Sequence, residues 1–338
     1  MHPEPGIGEG IGMAWSIRIA ALISIFVAGT ASAQTAPITA WDLFRSQHPV
    51  LTPSQDRDID DPILRGAIDL HAHFGPDAYP RQWDAFEIAR RMAARGMRGV
   101  VLKNHFTESA GTAYLVRKHA GVPGLEVFGG LSLNSEVGGI NPEAVRYFAA
   151  VTGGYARVVW LPTHESEHEV NHEKASYPSV SVSKNGVLLP EVLEVLDVIK
   201  EKRLTLATGH VTPAEMLAIM TEAKKRDLGP VIITHPNMGP KFTNPTMGEL
   251  QEAVALGGYV EFVASELLGK RSDEFIAMIR TIGPARSFVA SDSGLVGLPN
   301  HTDALGLTIR VLRTAGFTED ELDLMFRKNP AILLRLNS

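Results

Sequence analysis

Short apolar runs alternate with amphipathic stretches of helical period along most of the chain. The runs are 67–73, 99–105, 125–133, 156–163, 204–210, 231–235, 259–264 and 287–292. Between them, 85–95 places Ile88 and Met92 on an Ala-rich face, and 189–202 places Val192, Leu193, Leu196 and Ile199 on one face behind Pro190. Thr212 is the expected N-cap of 213–226, with Glu215 in its first turn, and Ser272 the expected cap of 273–282. Thr318 and Glu321 have capping-box spacing for a terminal helix. Strand–helix beats with near-continuous apolar strands predict a parallel sheet covered by helices, and eight beats are the number that closes a barrel. The expected fold class is therefore α/β, a single (β/α)8 TIM barrel over 67–338 after a lead-in at 34–66. A doubly wound open sheet is the alternative. It would carry a Gly-rich phosphate turn after the first strand, where Phe74-Gly75-Pro76-Asp77 stands instead. The longest connection, 164–186, exceeds the usual length for such a loop and reads as a lid or binding loop.

The N-terminus has a different pattern. Arg18 precedes an apolar run, 19–28, that ends in Ala31-Ser32-Ala33. That is the layout of a secretory signal peptide at 1–33, and the run is too short to span a membrane. The first twelve residues lack the character of a signal n-region, so Met13 is an alternative start. The mature chain is expected to be exported, periplasmic or secreted, with no membrane association after cleavage and with a homo-oligomer as one option.

Composition adds two constraints. With 32 Lys and Arg against 38 Asp and Glu, the net charge of -6 disfavours a nucleic-acid partner. Twelve His and no Cys exclude disulfides, zinc thiolates and thiol nucleophiles, so any metal must be held by His, carboxylates or a modified Lys. The His are not scattered. His71, His73, His105, His164, His210 and His235 fall at expected strand ends, and His168, His172 and His301 in the loops that follow. Barrel chemistry is done at that end of the strands. Residues i and i+2 of a strand share a side, so His71 and His73 both face the mouth and Ala72 faces the helices. His210, His235 and Asp292 can complete a site suited to Zn²⁺, Mn²⁺ or Fe²⁺. Polar plugs at a barrel rim are the alternative reading of the same set. His164, His168 and His172, spaced by four with acids between them, read either as one helix face or as a hydrated loop; His164 and His172 are kept as candidate substrate contacts.

The set Asp69-x-His71-x-His73, His210, His235 and Asp292, with the ending Met325-Phe326-Arg327-Lys328-Asn329-Pro330-Ala331, resembles the amidohydrolase superfamily of metal-dependent hydrolases. The resemblance runs from about Asp69 to Leu336, and Phe-Gly-Pro after His73 is similar to the branch with lactonases and decarboxylases. It implies one or two divalent ions, Zn²⁺ first, and a small-molecule substrate. Dinuclear members place a bridging carbamylated Lys or a Glu on strand four. Here that strand ends in Thr163-His164-Glu165, so Glu165 and, from strand two, Lys103 are the candidate bridges. One metal on His71, His73, His210, His235 and Asp292 is the simpler expectation.

The chemistry expected is hydrolysis of an amide, lactone or ester by metal-activated water. Asp292 would be the general base, His235 a ligand or a polariser of the carbonyl, and Lys103 and His105 substrate contacts. Three rivals are a phosphoesterase of the polymerase-and-histidinol-phosphatase type, a decarboxylase on the same site, and a module that only binds metal or ligand. The first shares Asp-x-His-x-His, and Asn104-His105 is similar to its second strand end, but Asp292-Ser293-Gly294 lacks its late His.

Overall fold

The computed structural model describes residues 57–336. The expected signal peptide, the alternative start at Met13 and the lead-in up to residue 56 lie outside the described residues, as do His2 and His48. No described helix is long and apolar enough to cross a membrane.

The strands are β1 (Ile68–His73), β2 (Gly99–Lys103), β3 (Glu126–Ser132), β4 (Ala156–Trp160), β5 (Ser183–Lys184), β6 (Val187–Leu188), β7 (Thr205–Ala207), β8 (Val231–Ile233), β9 (Gly258–Val263) and β10 (Ser287–Ala290). All but β5 and β6 pair in parallel in the order β1-β2-β3-β4-β7-β8-β9-β10, one strand for each expected beat. Between them run α1 (Ala85–Ala94), α2 (Ala110–His119), α3 (Pro142–Ala150), α4 (Glu167–Glu173), α5 (Pro190–Glu201), α6 (Pro213–Lys225), α7 (Met247–Ala255), α8 (Ala264–Leu267), α9 (Ser272–Ile282) and α10 (His301–Thr314). The open-sheet alternative fails because the two edge strands meet. Asp292 N–H donates to His71 O at 2.9 Å, His73 N–H to Ser293 O at 3.0 Å and Ser291 N–H to the Asp69 carboxylate at 3.0 Å. The barrel thus closes through a seam of irregular bonds between β1 and the end of β10.

Two apolar layers follow from the strand alternation. One fills the barrel with Ile68, Leu70, Val101, Phe128, Val158, Trp160, Ile232 and Phe288; the other, including Ala72, Ile88, Met92 and Val100, packs strands against helices. Gly130 makes room for Trp160 within the barrel, since a Cβ there would lie 2.4 Å from the indole ring. The base is plugged by the C-terminus. After α11 (Glu319–Asp323) and a π-helical turn, α12 (Asn329–Leu333) brings Ala331, Leu333 and Leu334 against the inner layer. Asn329 donates to the carbonyls of Pro284 and Ser287.

Thr212 caps its helix as expected, there in a full capping box with Glu215, and the expected box at Thr318–Glu321 forms. Ser272 does not cap α9. It is the first helical residue, and its hydroxyl donates to Leu267 O at 2.7 Å because a tight turn from α8 brings that carbonyl beside it. The long connection after β4 is not a bare loop: it holds α4 and the β5–β6 hairpin.

Candidate functional site

Continuing inward-facing positions up three strands turns apolar side chains into polar ones. Val101 leads to Lys103, Tyr259 to Glu261 and Ala290 to Asp292. On β1 the register shifts between Asp69 and Ala72, which lets His71 and His73 both point inward above Ile68 and Leu70. Ala72 faces the helix layer, as the spacing predicts. Asp69 stays in the seam, accepting from His71 N and Ser291 N. Asp292 adopts φ 46°, a left-handed conformation costly for most residues but tolerated by Asp.

The centre is dense. His71 Nε2 lies 3.0 Å and His73 Nε2 3.1 Å from the same Asp292 Oδ1. His71 Nδ1 lies 3.0 Å from Glu261 Oε1. Burial alone would raise the Glu261 pKa, but His71 outweighs it and the carboxylate is held ionised. An ionised carboxylate only accepts, so Nδ1 carries the proton. In a neutral His71 ring Nε2 is then a bare lone pair facing another acceptor, Asp292 Oδ1. A positive centre must sit among them. Lys103 Nζ, 2.9 Å from His71 Nε2 and over the Trp160 ring at 5.0 Å, is one such centre. A proton on His71 is another: burial disfavours it, yet Asp292 and Glu261 raise the pKa above its usual value. A divalent ion is the third, and a carboxylate–histidine–metal relay needs this tautomer. Burial draws Lys103 down to about 8, against the pull of Asp292 and Glu261.

Beside this cluster, His210 Nε2 and His235 Nε2 face each other at 3.3 Å. His210 Nδ1 lies 2.5 Å from Glu169 Oε2, whose pKa burial raises against the pull of Lys241 and His164; with the proton on Nδ1, Nε2 is free to meet an ion. Burial keeps both rings neutral, with His235 brought down to about 3. Gly209 permits this approach: at φ +67° a Cβ would lie 2.4 Å from the carbonyl oxygens of Leu161 and Pro162. Asp292 is held well below its usual pKa, the two β1 imidazoles overcoming burial. Neutral His73, His210 and His235, an ionised Asp292, and ligand atoms of His71, His73 and Asp292 within 4.8 Å of one another fit a divalent ion.

A cavity of about 580 Å³ opens over the centre. His73, Lys103, His105, His164, His210, His235 and Asp292 all line it. The His105 ring lies tilted at 4.7 Å from that of His73, and His164 packs edge-on against His105. An expected substrate contact, His172, and a candidate bridge, Glu165, are not in the lining of this cavity. His172 is exposed on the last turn of α4, because that helix turns Glu169 and Glu173 inward instead. Glu165 is drawn toward the loop after β3, where it accepts from Ser135 N at 2.7 Å and bonds Glu136; with Glu136 and His164 it forms a separate group of ligand atoms within 4.8 Å of one another that could hold an ion. His168 contacts Phe242 O, away from a common face with His164. Three further acids belong to the site and are not among the residues that the sequence motifs single out: Glu261, Glu169 and Glu266, the last buried at the cavity wall. Glu261 had a signal: one acid inside the apolar run of β9, in phase with inward-facing Tyr259.

Solved structures with this fold include an amidohydrolase from Pseudomonas aeruginosa, at 13% identity over 81% of this chain and 97% of that one, with a TM-score of 0.56. Organophosphorus hydrolase from Deinococcus radiodurans matches at 17% identity over 84% and 99%, with a TM-score of 0.53. A phosphotriesterase homology protein from Escherichia coli, complexed with phosphate in its active site, matches at 16% over 80% and 98%, also at 0.53. At these identities the likeness is one of fold alone. No curated protein matches the chain. The profile of one family spans residues 66–261, from the start of β1 to the His71 partner Glu261, and the chain belongs to that family, the family of unknown function DUF6282.

Proposed function

We propose that the protein is a metal-dependent hydrolase that cleaves a C–N or C–O bond, an amide, lactone or ester, in a small molecule. The observation that carries the reading is the meeting of His71 Nε2 and His73 Nε2 on one oxygen of Asp292. A bound divalent ion, Zn²⁺ by preference for this His and carboxylate set, would supply Lewis acidity and acidify a water toward a pKa of about 7. His71, His73 and Asp292 would hold it, with His210 and His235 within the same centre and Lys103 available as a bridge to a second ion. Asp292 Oδ2, on an ionised carboxylate, takes the proton from the attacking water and passes it to the leaving group. His235 orients the carbonyl when it is not a ligand. His105 and His164 border the pocket beside His73 and contact the substrate.

The test is metal analysis of the purified protein together with assays on p-nitrophenyl acetate, lactones, N-acyl amides and p-nitrophenyl phosphate. About one equivalent of metal and chelator-sensitive cleavage of carbon esters or amides are expected. Cleavage of the phosphate alone, or turnover indifferent to chelation, overturns the assignment. The apolar run 19–28 and the small residues before residue 34 support export to the periplasm or medium. N-terminal sequencing of the mature protein tests this, with Gln34 the expected first residue.

A further inference from the structure

The connection after β1 places a buried cation in the cavity that the centre does not use. The Arg81 side chain is 2% exposed, and that of its partner Asp77 0%. Arg81 Nε donates to Asp77 Oδ2 at 2.5 Å. The backbone is held as firmly: Arg81 pairs with Leu295, and Gln82 N donates to Gly294 O at 2.9 Å. Yet Arg81 Nη2 is buried with no hydrogen-bond partner, and Arg81 lines the same cavity as His73, Lys103 and Asp292. A buried donor left unmade is costly, and one on a positioned guanidinium calls for an acceptor. Two other cations lining the cavity, buried Lys103 and partly buried Lys241, are engaged. Lys103 meets His71, and Lys241 lies 3.2 Å from Glu169 and 2.7 Å from Glu173.

The chemistry of the wall narrows the acceptor. Ionised Asp292 and the acids of α4 border the same space, which disfavours a dianion. Phe242, Phe275 and Leu298 supply apolar surface for a hydrocarbon or aromatic body. A planar guanidinium edge matches a planar carboxylate. We propose that Arg81 is a carboxylate-binding residue, and that the substrate is a small monoanionic carboxylate with an apolar body, its carboxylate on Arg81 and its scissile bond beside Asp292. This rests on the hydrolase reading and gives it a substrate class.

The experiment is calorimetric binding of 3-phenylpropionate, 3-phenylpropanamide and phenyl phosphate, to chelator-treated and to zinc-loaded protein. Acid should bind at least about 10-fold tighter than amide in both forms, the scale of one charge-assisted hydrogen bond. Arg81→Gln combined with Asp77→Asn, which avoids stranding Asp77, should bring acid and amide within about 2-fold. Arg81→Lys, which keeps the charge and loses the fork, should reduce the ratio at least about 3-fold, and it carries the test if the double variant does not fold. Equal binding of acid and amide by the wild type overturns the proposal. So does a ratio that survives loss of Arg81, or a tighter, Arg81-dependent grip on phenyl phosphate. The chelator-treated arm separates this from the hydrolase reading: absent turnover leaves the metal-free acid preference standing, whereas loss of that preference leaves turnover standing.

Discussion

Glu169 Oε2 and His210 Nδ1 lie 2.5 Å apart although the two residues are 41 positions apart, one on the helix that follows β4 and the other beyond β7. The connection over the barrel mouth therefore orients an imidazole in the centre. Glu169→Gln keeps an acceptor but loses the charge, and should weaken metal affinity about 10- to 100-fold, the usual effect of removing such a partner. Competition of the metal-loaded protein against a chelator measures it. Unchanged affinity would remove His210 from the ligand set.

Asp292→Asn separates backbone from charge. Asn tolerates the left-handed φ that Asp292 adopts, so the seam to His71 O can persist. Metal retention should fall more than about 10-fold and turnover should disappear, with unchanged far-ultraviolet circular dichroism. His71→Ala should do the same. Retained activity in either variant would sink the assignment of the centre.

Glu266, on α8, is buried with Oε1 unpartnered, and burial pushes its pKa well above the usual carboxyl value, only partly countered by Val263 N–H. An acid whose pKa is raised by folding stabilises the fold below its unfolded value of about 4.5 and loses that contribution as pH rises toward the folded value. The loss is at most about 1.4 kcal/mol per pH unit. Glu266→Gln should therefore match the wild type near pH 4 and be the more stable protein near pH 8. Urea melts at the two pH values read the difference; a gap of constant size at both would refute it.

Gly130→Ala should destabilise the barrel, because the added methyl would sit 2.4 Å from the Trp160 ring. Overpacking of this kind costs about 1–3 kcal/mol. Trp160 also lies under Lys103, so its fluorescence should shift in the same variant. A melting temperature equal to the wild type would mean that the indole has room to move.

The barrel was legible because each buried parallel strand leaves a short apolar run and each covering helix a 3.6-residue face. His71, His73, His210, His235 and Asp292 were legible because they terminate those runs. The paired strands stop earlier than the runs do, at Trp160, Ala207 and Ile233, so several site residues lie in the turn just beyond the ladder. Glu261 was readable by phase and was passed over because it lies among apolar neighbours. Glu169 was not readable as a partner of His210, since nothing local to α4 encodes a contact 41 residues away. Arg81 lies in an irregular connection without periodicity, and only its burial against Asp77 marks it. His172 misled because a four-residue spacing says which residues share a face, not which face turns inward.

The seam between β1 and the end of β10 has a use outside chemistry. The amide hydrogens of Asp292 and His73 are the bonds that complete the barrel, and they belong to the residues whose side chains converge in the centre. Their exchange with deuterated solvent reports, at the same two positions, on the opening of the cylinder and on the occupancy of its mouth. Slower exchange on addition of a ligand is thus a screen for what the protein binds that needs no knowledge of the reaction.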